Sequence, residues 1–362
     1  MNQKAYRVLE FDRILAMLEE ECVSEFGAEY ARALEPSVYR LEVVTAQQET
    51  AEAVSYILMS GSSPVHSFDD IRQALEKARI GSALTPAELL AVARTLSASR
   101  GLNRQLLNAL TPDKRLYGYA VGLASYREVE EEIRRCILGE EEIADTASHD
   151  LARIRRAIRA CHVRIRDKMN SLIRSPQYQK YLQEPIITIR NDRYVVPVRQ
   201  EFRGQVAGLV HDQSGSGQTL FVEPMAVVEI NNELKELMGQ EREEIQRILR
   251  DLTEQVGRYE ADITQSLGLM AQLDFVFAKG KLALRMNAVE PVINDSGYIR
   301  VVHGRHPLID PKAVVPMDLW LGEDFSTLVI TGPNTGGKTV TLKCCGLMAL
   351  MAQSGLHVPG DS

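Results

Sequence analysis

The spacing of apolar side chains divides the chain into segments of different character. Over residues 1–120, Leu9, Ile14, Leu15 and Leu18 recur at helical intervals, as do Leu89, Leu90, Ala93 and Leu96 after Pro86. Glu35-Pro36, Gly61-Ser62-Ser63-Pro64 and Thr111-Pro112 interrupt this pattern, which predicts a core of short amphipathic helices. From Leu151 the rhythm lengthens. Leu151, Ile154, Ile158, Cys161, Ile165, Met169 and Leu172 follow steps of three and four, the seam of a coiled coil. A second run extends from Ile230 through Leu234, Leu237, Glu241, Ile245, Ile248, Leu252, Val256, Tyr259, Ile263 and Leu267 to Met270. At ~1.5 Å per residue it predicts an arm ~75 Å long, provided that Gly239, Gly257 and Gly268 do not bend it.

Between these runs the period shortens. Ile187-Thr188-Ile189, Tyr194 to Val198, Val206 to Val210 and Thr219 to Val222 are rich in β-formers. Turn chemistry separates them at Asn191-Asp192, Arg203-Gly204 and Ser214-Gly215-Ser216-Gly217. A helix going out, a small sheet at the tip and a helix coming back form a lever. After Pro291 the pattern becomes α/β, with strand-like Tyr298 to Val302 and Leu319 to Leu321 and then a compact apolar strand, Thr327-Leu328-Val329-Ile330. The expected organisation is a helical core at 1–120, outgoing helices at 121–184, the β-rich insert at 185–223, a returning helix at 224–290 and an α/β segment at 291–362.

Charge refines this picture. The 42 Lys and Arg against 49 Asp and Glu leave a net charge of −7, so nucleic-acid binding by bulk charge is disfavoured and any such surface is local. Residues 151–175 carry eight basic side chains against Asp167 alone, whereas 229–262 carry ten acidic against five basic. The first arm reads either as a nucleic-acid-binding helix or, as we favour, as a helix whose charges face its acidic partner and fix the antiparallel pairing. No membrane partner is expected, because no 18-residue window is uninterruptedly apolar. Five cysteines without a Cys-x-x-Cys pair disfavour disulfides and structural zinc and point to a reduced cytoplasm.

The apolar strand at 327–330 runs into Gly332-Pro333-Asn334-Thr335-Gly336-Gly337-Lys338-Thr339, a full match to G-x-x-x-x-G-K-[ST]. Such a loop lets backbone N–H groups converge on phosphate oxygens, with Lys338 reaching the β- and γ-phosphates of ATP and the Thr339 hydroxyl coordinating Mg²⁺. The helix that follows is expected to run until Gly355 caps it. The fold class expected is multidomain α plus α/β: a helical core, a long antiparallel coiled-coil lever bearing a small β clamp insert, then the start of a P-loop ATPase domain. After Thr339 the only acidic residue is Asp361, so the Mg²⁺-binding acidic strand that turnover needs is not in this stretch. The expectation is a chain that stops partway through its ATPase domain.

This layout resembles the MutS superfamily, in the loop Thr331 to Thr339 and in Gly304-Arg305-His306-Pro307-Leu308 just before it. Within it the chain is similar to the bacterial MutS-two branch, in Arg190 to Val198, in His211 to Pro224 and in the opening Lys4 to Leu18. The resemblance implies a homodimeric ATPase whose nucleotide state opens and closes a clamp, and further on a Mg²⁺-binding acidic strand, a signature loop and a Smr nuclease domain. Three functions fit: a nucleotide-gated clamp on branched or mismatched DNA that suppresses recombination; a quality-control ATPase that splits stalled ribosomes; and a nucleotide-binding lever module without turnover. Arg190, Arg193, Arg199 and Arg203 in the insert are candidates for phosphate contacts to DNA or ribosomal RNA, or else line a solvated sheet face. Phe221-Val222-Glu223 matches the Phe-x-Glu wedge of mismatch readers by letter but not by position. Cys344-Cys345 and Trp320 read as core, and His306 as structural.

Overall fold

The computed structural model describes residues 3–332 and 337–361. The periodicity of the first 120 residues becomes α1 (Gln3–Val8), α2 (Phe11–Glu21), α3 (Glu25–Arg32), α4 (Arg40–Ser60), α5 (Arg72–Arg79), α6 (Pro86–Ala109) and α7 (Arg115–Val121). The expected breakers fall in the connections. Two of these helices are not short: α4 has 21 residues and α6 has 24, each without an internal Pro. Then follow α8 (Arg127–Cys136), an unanticipated hairpin of β1 (Ile137–Gly139) and β2 (Glu142–Ile143), α9 (His149–Arg174) and α10 (Pro176–Gln179). By Cα proximity the chain forms two units: Met1–Leu75, Ala91–Glu130 and Tyr259–Ser362 make the first, Glu76–Leu90 and Glu131–Arg258 the second.

In the second unit the insert is a four-stranded antiparallel sheet of β3 (Thr188–Arg190), β4 (Arg193–Arg199), β5 (Gly208–Gln213) and β6 (Thr219–Pro224), in the order β3-β4-β6-β5. Asn191 and Asp192 occupy the left-handed region (φ 49° and 60°), as a two-residue hairpin turn demands, and Arg190 pairs with Arg193 across it. The sheet leads into α11 (Met225–Arg258), which runs antiparallel to α9. Their register is read from Ser148 donating to Glu244 (2.6 Å), Arg155 to Glu241 (2.7 Å) and Arg164 to Glu233 (2.9 Å). Cys161, Ile165 and Met169 of α9, Ile230 and Leu234 of α11, and Val196, Val198, Leu220 and Val222 of the sheet bury one another.

The returning run is not one arm. The helix breaks at Tyr259 (φ −112°, ψ 14°), and α12 (Glu260–Arg285) starts afresh. Tyr259 stacks on Tyr126 with ring centroids 4.2 Å apart. Gly257 is dictated by packing rather than flexibility, since a Cβ there would stand 3.0 Å from the Ala78 carbonyl oxygen. From Met270 to Ala283 the α12 helix is buried nearly all round and forms the axis of the first unit. One side, at Met270, Leu273 and Phe277, packs with Leu102, Leu106 and Leu116. Its C-terminal part, at Ala278 and Leu282, packs with Phe11, Ile14 and Leu18 of α2. Its buried Asp274 accepts the Ser24 N–H (2.8 Å) and hydroxyl (2.6 Å), tying down the start of α3.

The chain then forms an antiparallel pair, β7 (Ile299–Gly304) with β8 (Met317–Leu321), and a last helix, α13 (Lys338–Gln353). Leu347, Leu350 and Met351 of α13 join the same cluster as Phe11 and Leu282.

Candidate functional site

The phosphate-loop motif straddles the described residues. Gly332, Gly337, Lys338 and Thr339 have defined positions, whereas Pro333, Asn334, Thr335 and Gly336 lie outside the described residues. Gly332 and Gly337 both take positive φ (146° and 77°), conformations that cost an L side chain but not glycine. Helix α13 opens at Lys338 with Gly337 as its cap residue and no side-chain cap. Among the described residues no side chain takes its first-turn N–H groups, which stand at the positive end of the helix dipole. The Lys338 ammonium donates to the Gly332 carbonyl, so one side chain spans both ends of the loop, and Thr339 is exposed. The donor set fits a nucleoside triphosphate: N–H groups without a side-chain partner among the described residues, one ammonium and an exposed hydroxyl.

The opposite end of α13 is anchored by side chains that the sequence reading passed over. Gly355 (φ 72°) closes a Schellman turn in which the Leu356 N–H reaches the Met351 carbonyl (3.0 Å) and the Gly355 N–H reaches that of Ala352 (3.2 Å). From α4, the Gln47 amide donates to the carbonyls of Ala352 (2.8 Å) and Leu356 (3.0 Å), and the Thr50 hydroxyl to that of Gly355 (2.6 Å). Gln47 and Thr50, three residues apart and both buried, are the signal: polar residues on the apolar face of a helix require partners. Beside them lies buried His357, whose Nε2 has no partner among the described residues. Burial, and then the nearby Lys279 ammonium, push this imidazole down to about 4. Lys279 is itself pushed down to about 8 by burial, against the pull of Glu49. On α13, Lys343 pairs with Glu10 at 3.0 Å and holds that carboxyl below its ordinary range.

Two expectations around the loop are corrected. Thr327 to Ile330 do not form a strand; Leu328 and Val329 are exposed, and no neighbouring strand among the described residues supplies the hydrogen bonds that would make one. Trp320 is half-exposed on β8 rather than core, leaning towards Phe325. Cys344 is buried and its thiol pushed up to about 12, whereas Cys345 is half-buried. His306 is buried and held low by burial, with its Nδ1 accepting the Leu308 N–H at 3.4 Å. Asp361 accepts from His303 (2.8 Å) and Arg305 (3.4 Å).

In the insert the four candidate arginines part company. Arg193 turns inward: its guanidinium bonds Glu223 (2.8 Å) and Asn232 (2.7 Å). Glu223 is fully buried and also accepts from Asn231 (2.7 Å) and bonds His211 (2.5 Å). This network welds β4, β5 and β6 to α11, and it disposes of Phe221-Val222-Glu223 as a wedge. No sequence signal marks it, because Arg193 and Glu223 are 30 residues apart. Arg190 lies over the Phe221 ring (4.4 Å) and pairs with Asp212 (3.4 Å). Arg199 and Arg203 are exposed, without an ion pair among the described residues.

The basic arm is corrected as well. Of its eight cations only Arg155 and Arg164 reach carboxylates on α11. Arg153 pairs with Asp150, and Arg159, together with Arg155, pairs with Asp145.

No family model matches the chain. Curated relatives do: it is 50% identical to Endonuclease MutS2 of Alkaliphilus metalliredigens, 49% identical to that of Alkaliphilus oremlandii and 46% identical to that of Clostridioides difficile, in each case across the whole chain. The chain spans 46% of the length of each of these proteins. It belongs to the MutS family. Within that family, over the length it spans, it is similar to the MutS2 branch.

Proposed function

We propose that this chain binds Mg²⁺-ATP at the start of α13 and, through the insert carried by α9 and α11, works as a nucleotide-gated clamp on nucleic acid. The observation that carries the reading is the helix opening at Lys338, uncapped and preceded by two glycines at positive φ, within a complete phosphate-loop sequence. In this reading Lys338 meets the β- and γ-phosphates and Thr339 holds the Mg²⁺. Gly332, Pro333, Asn334, Thr335, Gly336 and Gly337 offer backbone amides, the middle four assigned by sequence alone. The antiparallel α9–α11 pair is the lever and the four-stranded sheet the clamp. Arg199 and Arg203 face the phosphodiester backbone, with Arg190 beside them, while Arg193 holds the clamp together from inside.

The relatives carry the name endonuclease, which places their chemistry on nucleic-acid strands, and branched DNA is the ligand proposed here. A homodimer in the cytoplasm is the assembly the MutS resemblance implies; among the described residues no helix is long and apolar enough to cross a membrane. The test is a calorimetric Mg²⁺-ATP titration of the chain. Saturable binding that Lys338→Ala abolishes while leaving the melting temperature unchanged is the expected result. Equal affinity in the variant, or no heat from the natural sequence, overturns the nucleotide site. Repeating DNA and ribosomal-RNA binding with and without ATP then decides which strand the clamp takes.

A further inference from the structure

The cations of α9 that α11 leaves unanswered are not scattered. Arg156, Arg166 and Arg174 are exposed and have no carboxylate partner among the described residues; Arg156 spends only its Nε, on the Ala152 carbonyl at 3.2 Å. At about 100° per residue, positions 156 and 174 fall in line, well away from the buried seam of Ile154, Cys161, Ile165 and Met169, and 166 lies about 80° round from them, about 60° from Met169. Asp167 is the acidic residue on this face. The outer face of α11 is the reverse. Glu229, Glu236 and Glu243 are exposed there, at intervals of seven residues, within about 40° of one line; further along, Arg247 and Arg258 share that line with Glu254. Over residues 229–243 of α11, the part that pairs with α9, the helix pair therefore has a basic edge and an acidic edge beside the cross-helix ion pairs of Arg155 and Arg164.

We propose that the outward face of α9, at Arg156, Arg166 and Arg174, is a second phosphodiester-binding surface, separate from the sheet arginines; this rests on the reading that the chain engages nucleic acid. Arginine forks grip phosphate oxygens two at a time, and each contact displaces a condensed counterion. The three side chains span about 27 Å of helix, a length over which a duplex presents about 16 phosphates, so no special register is needed to engage all three. The acidic stripe on α11 repels the same polyanion and so fixes which edge of the lever meets it. The ligand chemistry is a phosphodiester backbone, whether from DNA or from RNA.

The experiment measures binding of a labelled forked DNA, a plain duplex and an RNA hairpin to the whole chain over a salt series. Replacing all three residues (Arg156→Gln, Arg166→Gln and Arg174→Gln) is expected to weaken binding at least tenfold and to lower the log–log salt slope by about 3, near 0.9 per lost contact. The matching Arg→Lys triple keeps most of the slope, which separates a charge role from a structural one. Loss confined to the DNA probes, or to the RNA, identifies the source of the phosphates. An unchanged slope in the Gln triple, with binding lost instead in Arg199→Gln/Arg203→Gln, overturns this surface and leaves the proposed function standing. No binding by the natural sequence to any probe overturns both. If the Gln triple instead dissolves a self-association seen by sedimentation and leaves nucleic-acid binding intact, the basic edge meets the acidic edge of a second copy and the proposal fails.

Discussion

His357 is the residue whose environment has the clearest consequence. It packs behind the end of α13, close to the Lys279 ammonium and with Nε2 unpartnered among the described residues, so the folded chain holds it neutral far below the ordinary imidazole range. The unfolded chain protonates it near its ordinary value of 6.5, the folded chain only near 4. Unfolding therefore takes up a proton throughout this interval, and stability falls as the pH drops from about 6.5 towards 4. The separation of the two values corresponds to roughly 3 kcal/mol at the acid end. Buried His306, also held low, adds in the same direction. Urea midpoints measured from pH 7 to 4.5 are expected to decline more steeply for the natural sequence than for His357→Gln. Parallel curves would show that the imidazole is not held neutral. Nothing in the sequence around Leu356-His357-Val358 announces this, because the burial comes from α4 and α12, elements remote in the chain.

At the scale of elements, what was legible and what was not follow from how local the physics is. The insert strands were readable because alternation and turn residues act within a few positions, and Asn191-Asp192 can hardly do anything but turn. The backbone turns at Gly332 and Gly337, both at positive φ, were readable for the same reason. The break at Tyr259 was not, since the apolar period continues through it and the helix ends where Tyr259 stacks on Tyr126, an aromatic partner far away in sequence. Thr327 to Ile330 have a strand's composition, but composition does not supply a hydrogen-bonding neighbour. The Glu223 network belongs to the same non-local class, and it is what fixes the sheet to α11. Glu223→Ala strands the Arg193 guanidinium and the His211 ring in a partly buried site. The expected cost is about 3–5 kcal/mol to the second unit, read as a fall in urea midpoint. A cost below ~1 kcal/mol would mean that the network is an ornament of a sheet already held by Val196, Val198, Leu220 and Val222.

For the whole molecule, the interleaved units predict how it unfolds. The phosphate-loop helix, α2 and α12 share one set of buried side chains, whereas the insert and the α9–α11 pair share another. Cooperativity follows shared burial, so each set is expected to melt as its own unit rather than in one transition. The chain carries a probe for this in its single tryptophan, Trp320, which belongs to the first unit and packs near Phe325. Circular dichroism at 222 nm reads the helices of both units. The two signals are expected to give separate urea midpoints. Glu223→Ala should then move only the part of the dichroism transition that tryptophan emission does not follow. Coincident transitions, shifted together by that variant, would mean that α6 and α8, whose residues are divided between the units, carry the coupling and that the chain unfolds as one body. The distinction bears on the proposed clamp. A nucleotide signal received at Lys338 can reach the insert only as far as the units respond together, so the same Glu223→Ala variant, assayed for ATP-dependent change in nucleic-acid affinity, should keep ATP binding at the loop while losing its effect on the strand.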